Sequence, residues 1–266
     1  MDLIRDALRA GHRGRPADTP RPRATVLVAG GGGALGSELL EQLLASRAFA
    51  HVRVLVTQPF SATMQGLEPV PAELLDAEVG PPRLAEIAFI VFDRARHANG
   101  RDAAFLRPLP EGLPDLARRL QVHGVRHLVV VLPQHAALLP QALKLGLANL
   151  DEQAVASLGF EHVVFVRSAQ APSDAATSTG LQRVADLVLA QLRLMTPQRQ
   201  QPVRAKKVAQ LAAALARLLP ASAPGTRVLA PEVVWQAAQM GDPEPLLRAW
   251  LAGEAVPEAE TPRLRL

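Results

Sequence analysis

The run Ala24-Thr25-Val26-Leu27-Val28-Ala29 leads without a spacer into Gly30-Gly31-Gly32-Gly33-Ala34-Leu35-Gly36, and that junction restricts the fold more than any other stretch of the chain. A short apolar run of this kind suits a strand buried on both faces. The residues after it, Leu35, Leu39, Leu40, Leu43 and Leu44, recur at helical spacing,. The unit therefore reads as strand, glycine turn, helix. Each glycine costs about 0.5–1 kcal/mol of backbone entropy relative to alanine, so four in a row point to a backbone that must approach something closely. Without Cβ atoms the loop can lie against a diphosphate. The N-terminus of the following helix offers free N–H groups and a partial positive charge. The spacing Gly30-x-x-Gly33-x-x-Gly36 makes Gly30, Gly31, Gly32, Gly33, Ala34, Leu35 and Gly36 the candidate cofactor-binding residues, with Gly36 letting the helix pack closely on the first strand,.

Beyond the loop, apolar runs alternate with amphipathic stretches. The strands predicted are Thr25–Ala29, Val52–Val56, Ile87–Phe92, His127–Leu132 and His162–Val166, with a weaker candidate at Ala72–Asp76 and a short one at Arg227–Leu229,. The predicted helices are Ala34–Ser46, Leu113–His123, Gln134–Leu158 broken at Pro140, Leu181–Met195, Ala205–Leu219, Pro231–Gln239 and Pro243–Leu251,. Repeated βαβ units predict an α/β fold, a doubly wound and mainly parallel sheet in one domain, which resembles the Rossmann type. Residues 24–252 would form that domain. Residues 1–23 read as a Pro-rich basic tail and residues 253–266 as a frayed end,.

Composition narrows the possible functions. With 48% hydrophobic and 20% charged residues in 266, the chain can bury a large core,. It has no cysteine, which removes disulfides, thiolate metal sites and thiol nucleophiles,, and no metal site is expected. Formal net charge is +4, but the arginines are scattered. The tail carries Arg5, Arg9, His12, Arg13, Arg15 and Arg21 without an interleaved aromatic on which bases could stack, so no nucleic-acid partner is expected,. No apolar run is long enough to span a membrane, and the N-terminus lacks a basic-then-apolar secretion signal; the expectation is a cytoplasmic protein,.

The choice between NAD and NADP is normally written at the end of the second strand, as a carboxylate for the ribose hydroxyl or an arginine for the 2′-phosphate. Here that end reads Val56-Thr57-Gln58-Pro59. Thr57 and Gln58 can serve either ribose, so the cofactor stays NAD or NADP. Asp93, with Arg94, Arg96 and His97, stands at the carboxyl end of a strand, where open α/β sheets bind ligands,.

The glycine spacing, the stretch Ala88–Arg96 with Gly100 and Ala103-Ala104-Phe105, the stretch His123–Val131, and Glu152 through Leu158-Gly159-Phe160 to Phe165-Val166-Arg167 together resemble the atypical or extended short-chain dehydrogenase/reductases. Within that group the chain is most similar to Tat-interacting oxidoreductase-like proteins and, more loosely, to NmrA-like sensors, over about Thr25–Ala238. The resemblance implies a dinucleotide cofactor, a loop over it at Gly100–Phe105, and a Ser/Tyr/Lys catalytic set. That set is missing: its lysine position falls on Ala148, its tyrosine on Lys144 and its serine on Leu132 or Pro133, and the chain contains no tyrosine. His135 and Lys144 remain as candidate replacement acids. Three readings stay open. They are a non-catalytic dinucleotide-binding sensor or scaffold with a possible protein partner, an oxidoreductase or isomerase with rewired acid–base groups, and a partner-binding remnant without the nucleotide.

Overall fold

The computed structural model describes residues 23–59, 65–76, 83–93, 103–134, 151–169 and 203–254. Seven strands form one sheet: β1 (Thr25–Ala29), β2 (His51–Val56), β3 (Leu67–Pro71), β4 (Ile87–Val91), β5 (His127–Gln134), β6 (His162–Ala169) and β7 (Gly225–Leu229). Their order is β3-β2-β1-β4-β5-β6-β7, and every neighbouring pair is parallel. The chain steps outward from β1 to one edge and then restarts on its other side at β4. This is the doubly wound, Rossmann-type order, and it opens a crevice beyond the carboxyl ends of β1 and β4.

Helices cover both faces, which is why the central strands are apolar on both faces along most of their length. On one face α1 (Ala34–Ser46), α3 (Ala205–Leu218), α4 (Pro231–Gln239) and α5 (Glu244–Ala252) pack on Val26, Val28, Val54, Phe89, Val129 and Val164. On the other, α2 (Leu113–Val122) packs through Leu116, Ala117 and Leu120 on Leu27, Ala88, Ile90, Leu128 and Phe165, joined by Val155 from the helical residues 151–156. Helix α1 ends on Arg47 in the left-handed region, whose N–H donates to the Leu44 carbonyl,.

The structure corrects the predicted elements in several places, among them β6, which runs on to Ala169 and does not end at Val166. The weak strand at Ala72–Asp76 is a 3₁₀ turn, Ala72–Leu75, and the strand lies just before it, at Leu67–Pro71. Pro69 and Pro71 hid it, because proline cannot serve a central ladder; β3 is an edge strand, where a missing N–H is tolerated,. Strand β5 runs on to Gln134, so no helix starts there. Strand β7 starts at Gly225, two residues earlier than expected. The basic tail, the frayed end, the Leu181–Met195 helix and the break at Pro140 lie outside the described residues.

At the amino edge of the sheet, His127 and His162 are register partners and both are buried. Their Nδ1 atoms stand 2.8 Å apart, and His162 Nε2 lies 3.3 Å from the Ser222 carbonyl oxygen. A carbonyl only accepts, so His162 carries its proton on Nε2 and accepts from His127 Nδ1–H. Burial, and then the neighbouring His162, pushes the His127 imidazole down to about 4,. The unfolded residue titrates near 6.5, so the unfolded chain takes up a proton first. The stability this residue contributes is present above pH 6.5 and lost as the pH falls toward 4. The loss should reach about 3 kcal/mol by pH 4, and denaturant unfolding of wild type against His127→Gln measures it. The variant should have the flatter stability profile between pH 6.5 and 4.5, and parallel profiles would contradict the assignment.

Candidate functional site

The glycine loop sits at the crevice between β1 and β4. Gly30 has φ +102°, a conformation that a residue with a side chain rarely adopts, and a Cβ there would come within 3.1 Å of the Val91 carbonyl carbon at the end of β4,. Gly36, in the first turn of α1, faces the loop backbone so closely that a Cβ would stand 2.9 Å from the Gly30 carbonyl carbon and from the Gly31 Cα. The expected close packing thus occurs, but against the loop itself. Ser37 N–H donates to the Gly33 carbonyl at 3.0 Å and starts the helical ladder, while Ser37 Oγ donates to the Gly31 carbonyl at 3.3 Å.

The N-terminus of α1 lacks a capping side chain of its own: Gly33 is the N-cap, and the first turn contains no acidic residue. The acceptor arrives from β4. The Leu35 backbone N–H donates to Asp93 Oδ2, a contact across 58 residues of sequence. Asp93 also lies against Gly33, where a Cβ would be 2.7 Å from the Asp93 Cβ. The helix N-terminus therefore binds an anion in this structure, and the anion is a carboxylate of the chain itself.

A second segment closes the site from the β2 side. Thr57 N–H donates to the Ala104 carbonyl at 2.7 Å, Leu106 N–H donates to the Leu55 carbonyl at 2.9 Å, and Val56 bridges Phe105 in antiparallel fashion. Phe105 is buried, with its Cδ1 3.1 Å from where a Gly31 Cβ would be. Ala103–Phe105 is thus pinned beside the glycine loop. Gly30, Gly32, Gly33, Asp93, Phe105, Leu106 and Arg107 line a small cleft at this point.

Of the expected site residues, Gly30, Gly32, Gly33 and Asp93 line this cleft, while Gly31 faces Val54, Leu40 and Phe105 and Gly36 faces the loop backbone. Thr57 stands at its edge with its hydroxyl 3.4 Å from the Ala104 carbonyl, so it serves the backbone of the closing segment. Gln58 follows it and is exposed. His135, Lys144, Ala148, Arg94, Arg96 and His97 lie outside the described residues. Leu132 and Pro133, where the resembling reductases carry serine, belong to β5.

No local signal in the sequence marks Leu106 or Arg107, since nothing nearby places a loop arginine beside a glycine turn more than seventy residues earlier. Nor does a local signal mark Ser168, the register partner of Pro133, whose buried Oγ has no hydrogen-bond partner among the described residues at the carboxyl end of β6. Among the described residues, no helix is long and apolar enough to cross a membrane.

No family model matches the chain, and no curated protein matches it. Several solved structures are similar. A Rossmann-fold NAD(P)-binding family protein from Shigella flexneri shares 16% identity over 73% of this chain and 86% of its own, with a TM-score of 0.45. A nucleoside-diphosphate-sugar epimerase from Staphylococcus aureus shares 14% identity over 81% and 77%, with a TM-score of 0.45. An enzyme from Bordetella bronchiseptica in complex with NAD shares 14% identity over 91% and 84%, with a TM-score of 0.43.

Proposed function

We propose that this chain is an NAD(P)-binding protein of the atypical short-chain dehydrogenase/reductase kind that senses or presents a dinucleotide and does not reduce carbonyls. The observation that carries the reading is the cradle at the β1–β4 crevice. Gly30 and Gly33 carry no side chain of their own, and the Leu35 N–H already holds a carboxylate oxygen,. A phosphate oxygen offers the same acceptor chemistry as that carboxylate. The diphosphate would lie along Gly30–Gly36, with one ribose near Thr57 and Gln58. When bound, the nicotinamide supplies hydride chemistry; the residues of this chain bind and orient the cofactor.

The absence of tyrosine from the chain supports the non-catalytic half of the reading. In the resembling reductases a tyrosine is the proton donor, and here Lys144 stands in its place. Titrating the purified protein with NADH and with NADPH while following thermal unfolding tests the proposal. A dinucleotide that binds the folded state stabilises it by about 2.7 kcal/mol when present at a hundred times its Kd. A raised Tm with either nucleotide is the expected result. No shift with either one would identify a remnant that has lost the cofactor.

A further inference from the structure

We propose that Asp93 is an internal anion held where the ligand's diphosphate belongs, so that a dinucleotide binds by displacing this carboxylate from the α1 N-terminus and pairing its phosphates with Arg107. The inference rests on the glycine loop being a diphosphate cradle, as proposed above. Three observations converge on it. The Leu35 N–H, one of the donors a bound phosphate would use, is taken by Asp93 Oδ2,. The Asp93 side chain fills the space above Gly33, the position whose missing Cβ would otherwise admit the phosphate. Neither Gly33 nor the first turn of α1 supplies an acidic group, so the negative charge at this helix end comes from a different strand.

The diphosphate and the Asp93 carboxylate are both anions, and like charges a few ångströms apart repel strongly in a partly desolvated cleft. They do not share the helix end; one replaces the other. Arg107 supplies the opposite charge. It is exposed, lines the same cleft as Gly30, Gly32, Gly33 and Asp93, and makes no ion pair with another described residue. Backbone pairing of Leu106 with Leu55 and of Thr57 with Ala104 fixes where its segment runs. A guanidinium there can hold a phosphate in bidentate fashion. The exchange regulates the site: the unliganded chain keeps its helix end satisfied, and each ligand must compete with Asp93.

The test measures NADH and NADPH affinity and the unliganded Tm for the full chain and for Asp93→Asn, Asp93→Ala and Arg107→Ala. Asp93→Ala should melt below wild type without ligand, because Leu35 N–H loses its acceptor, and yet bind at least tenfold tighter. Asp93→Asn keeps the shape, removes the charge and should also bind more tightly. Arg107→Ala should bind at least fivefold more weakly. A ligand-independent arm uses Gly33→Ala, which should lower the Tm in the wild-type background and do so much less in Asp93→Gly, where the obstructing side chain is gone. If wild type binds while both Asp93 variants bind equally or more weakly, the displacement is wrong and the cradle stands. If only the Asp93 variants bind, the internal anion is confirmed in its strongest form. If no protein binds either nucleotide, the cradle reading fails and the displacement fails with it.

Discussion

Gly30→Ala should lower the unfolding free energy by about 2 to 5 kcal/mol, a large share of the 5–15 kcal/mol of an ordinary domain. Two costs add. The conformation at φ +102° belongs to glycine, and forcing a Cβ into left-handed space costs about 1–2 kcal/mol,. The new methyl would also meet the carbonyl of Val91 at the end of β4, and overpacking of this kind costs about 1–3 kcal/mol,. Backbone cannot rotate away as a side chain can. Relief would have to part the β1 turn from β4, which pair from Val26–Ile87 to Ala29–Ile90. Gly112→Ala is the control, because nothing lies within 4 Å of a Cβ there, and it should change stability by less than about 1 kcal/mol,. Urea unfolding of both variants measures the difference, and a Gly30→Ala protein as stable as wild type would refute the loop geometry.

Carbonyl reduction should stay at background for every aldehyde, ketone and quinone tried with NADH or NADPH. A positioned general acid contributes typically about 10²–10⁴-fold, and the phenol that supplies it in the resembling reductases is absent from a chain with no tyrosine,. By the resemblance, the position of the lysine that would depress that phenol's pKa and hold the ribose falls on Ala148. A quinone is the most demanding member of the panel, since a strongly electrophilic acceptor needs the least help from an acid. Steady-state assays decide the point. Turnover above about 1 s⁻¹ that disappears in His135→Ala or Lys144→Ala would make the protein a rewired oxidoreductase.

The unit β1–loop–α1 was legible in the sequence because every signal there is local: an unbroken apolar run, consecutive glycines, and leucines at helical spacing. Strands β4, β5 and β6 were legible for the same reason, being apolar on both faces. Strand β3 was not, because Pro69 and Pro71 argue against a strand unless its place at the sheet edge is already known. Asp93 could be placed at a strand end, but its aim at the α1 N-terminus is set by tertiary contact across 58 residues and leaves no local trace. The same holds for Arg107, whose place in the cleft follows from pairing with the end of β2, and for His127 and His162, which meet only through the β5–β6 register. The glycine cradle could be read from the chain; what occupies it and what closes it could not.

If Gly30–Gly36 holds the diphosphate of a dinucleotide, the loop amides themselves should report it. Backbone amide resonances of ¹⁵N-labelled protein, followed as NADH is added to saturation, test it most directly, because each loop residue carries its own N–H. The largest shifts should fall on Gly30, Gly33, Leu35 and Gly36, with Arg107 moving alongside, while His127 and His162 at the opposite end of the sheet stay in place. Saturating NADH that leaves the amides of Gly30–Gly36 where they were, or that moves only residues remote from the β1–β4 crevice, would contradict it.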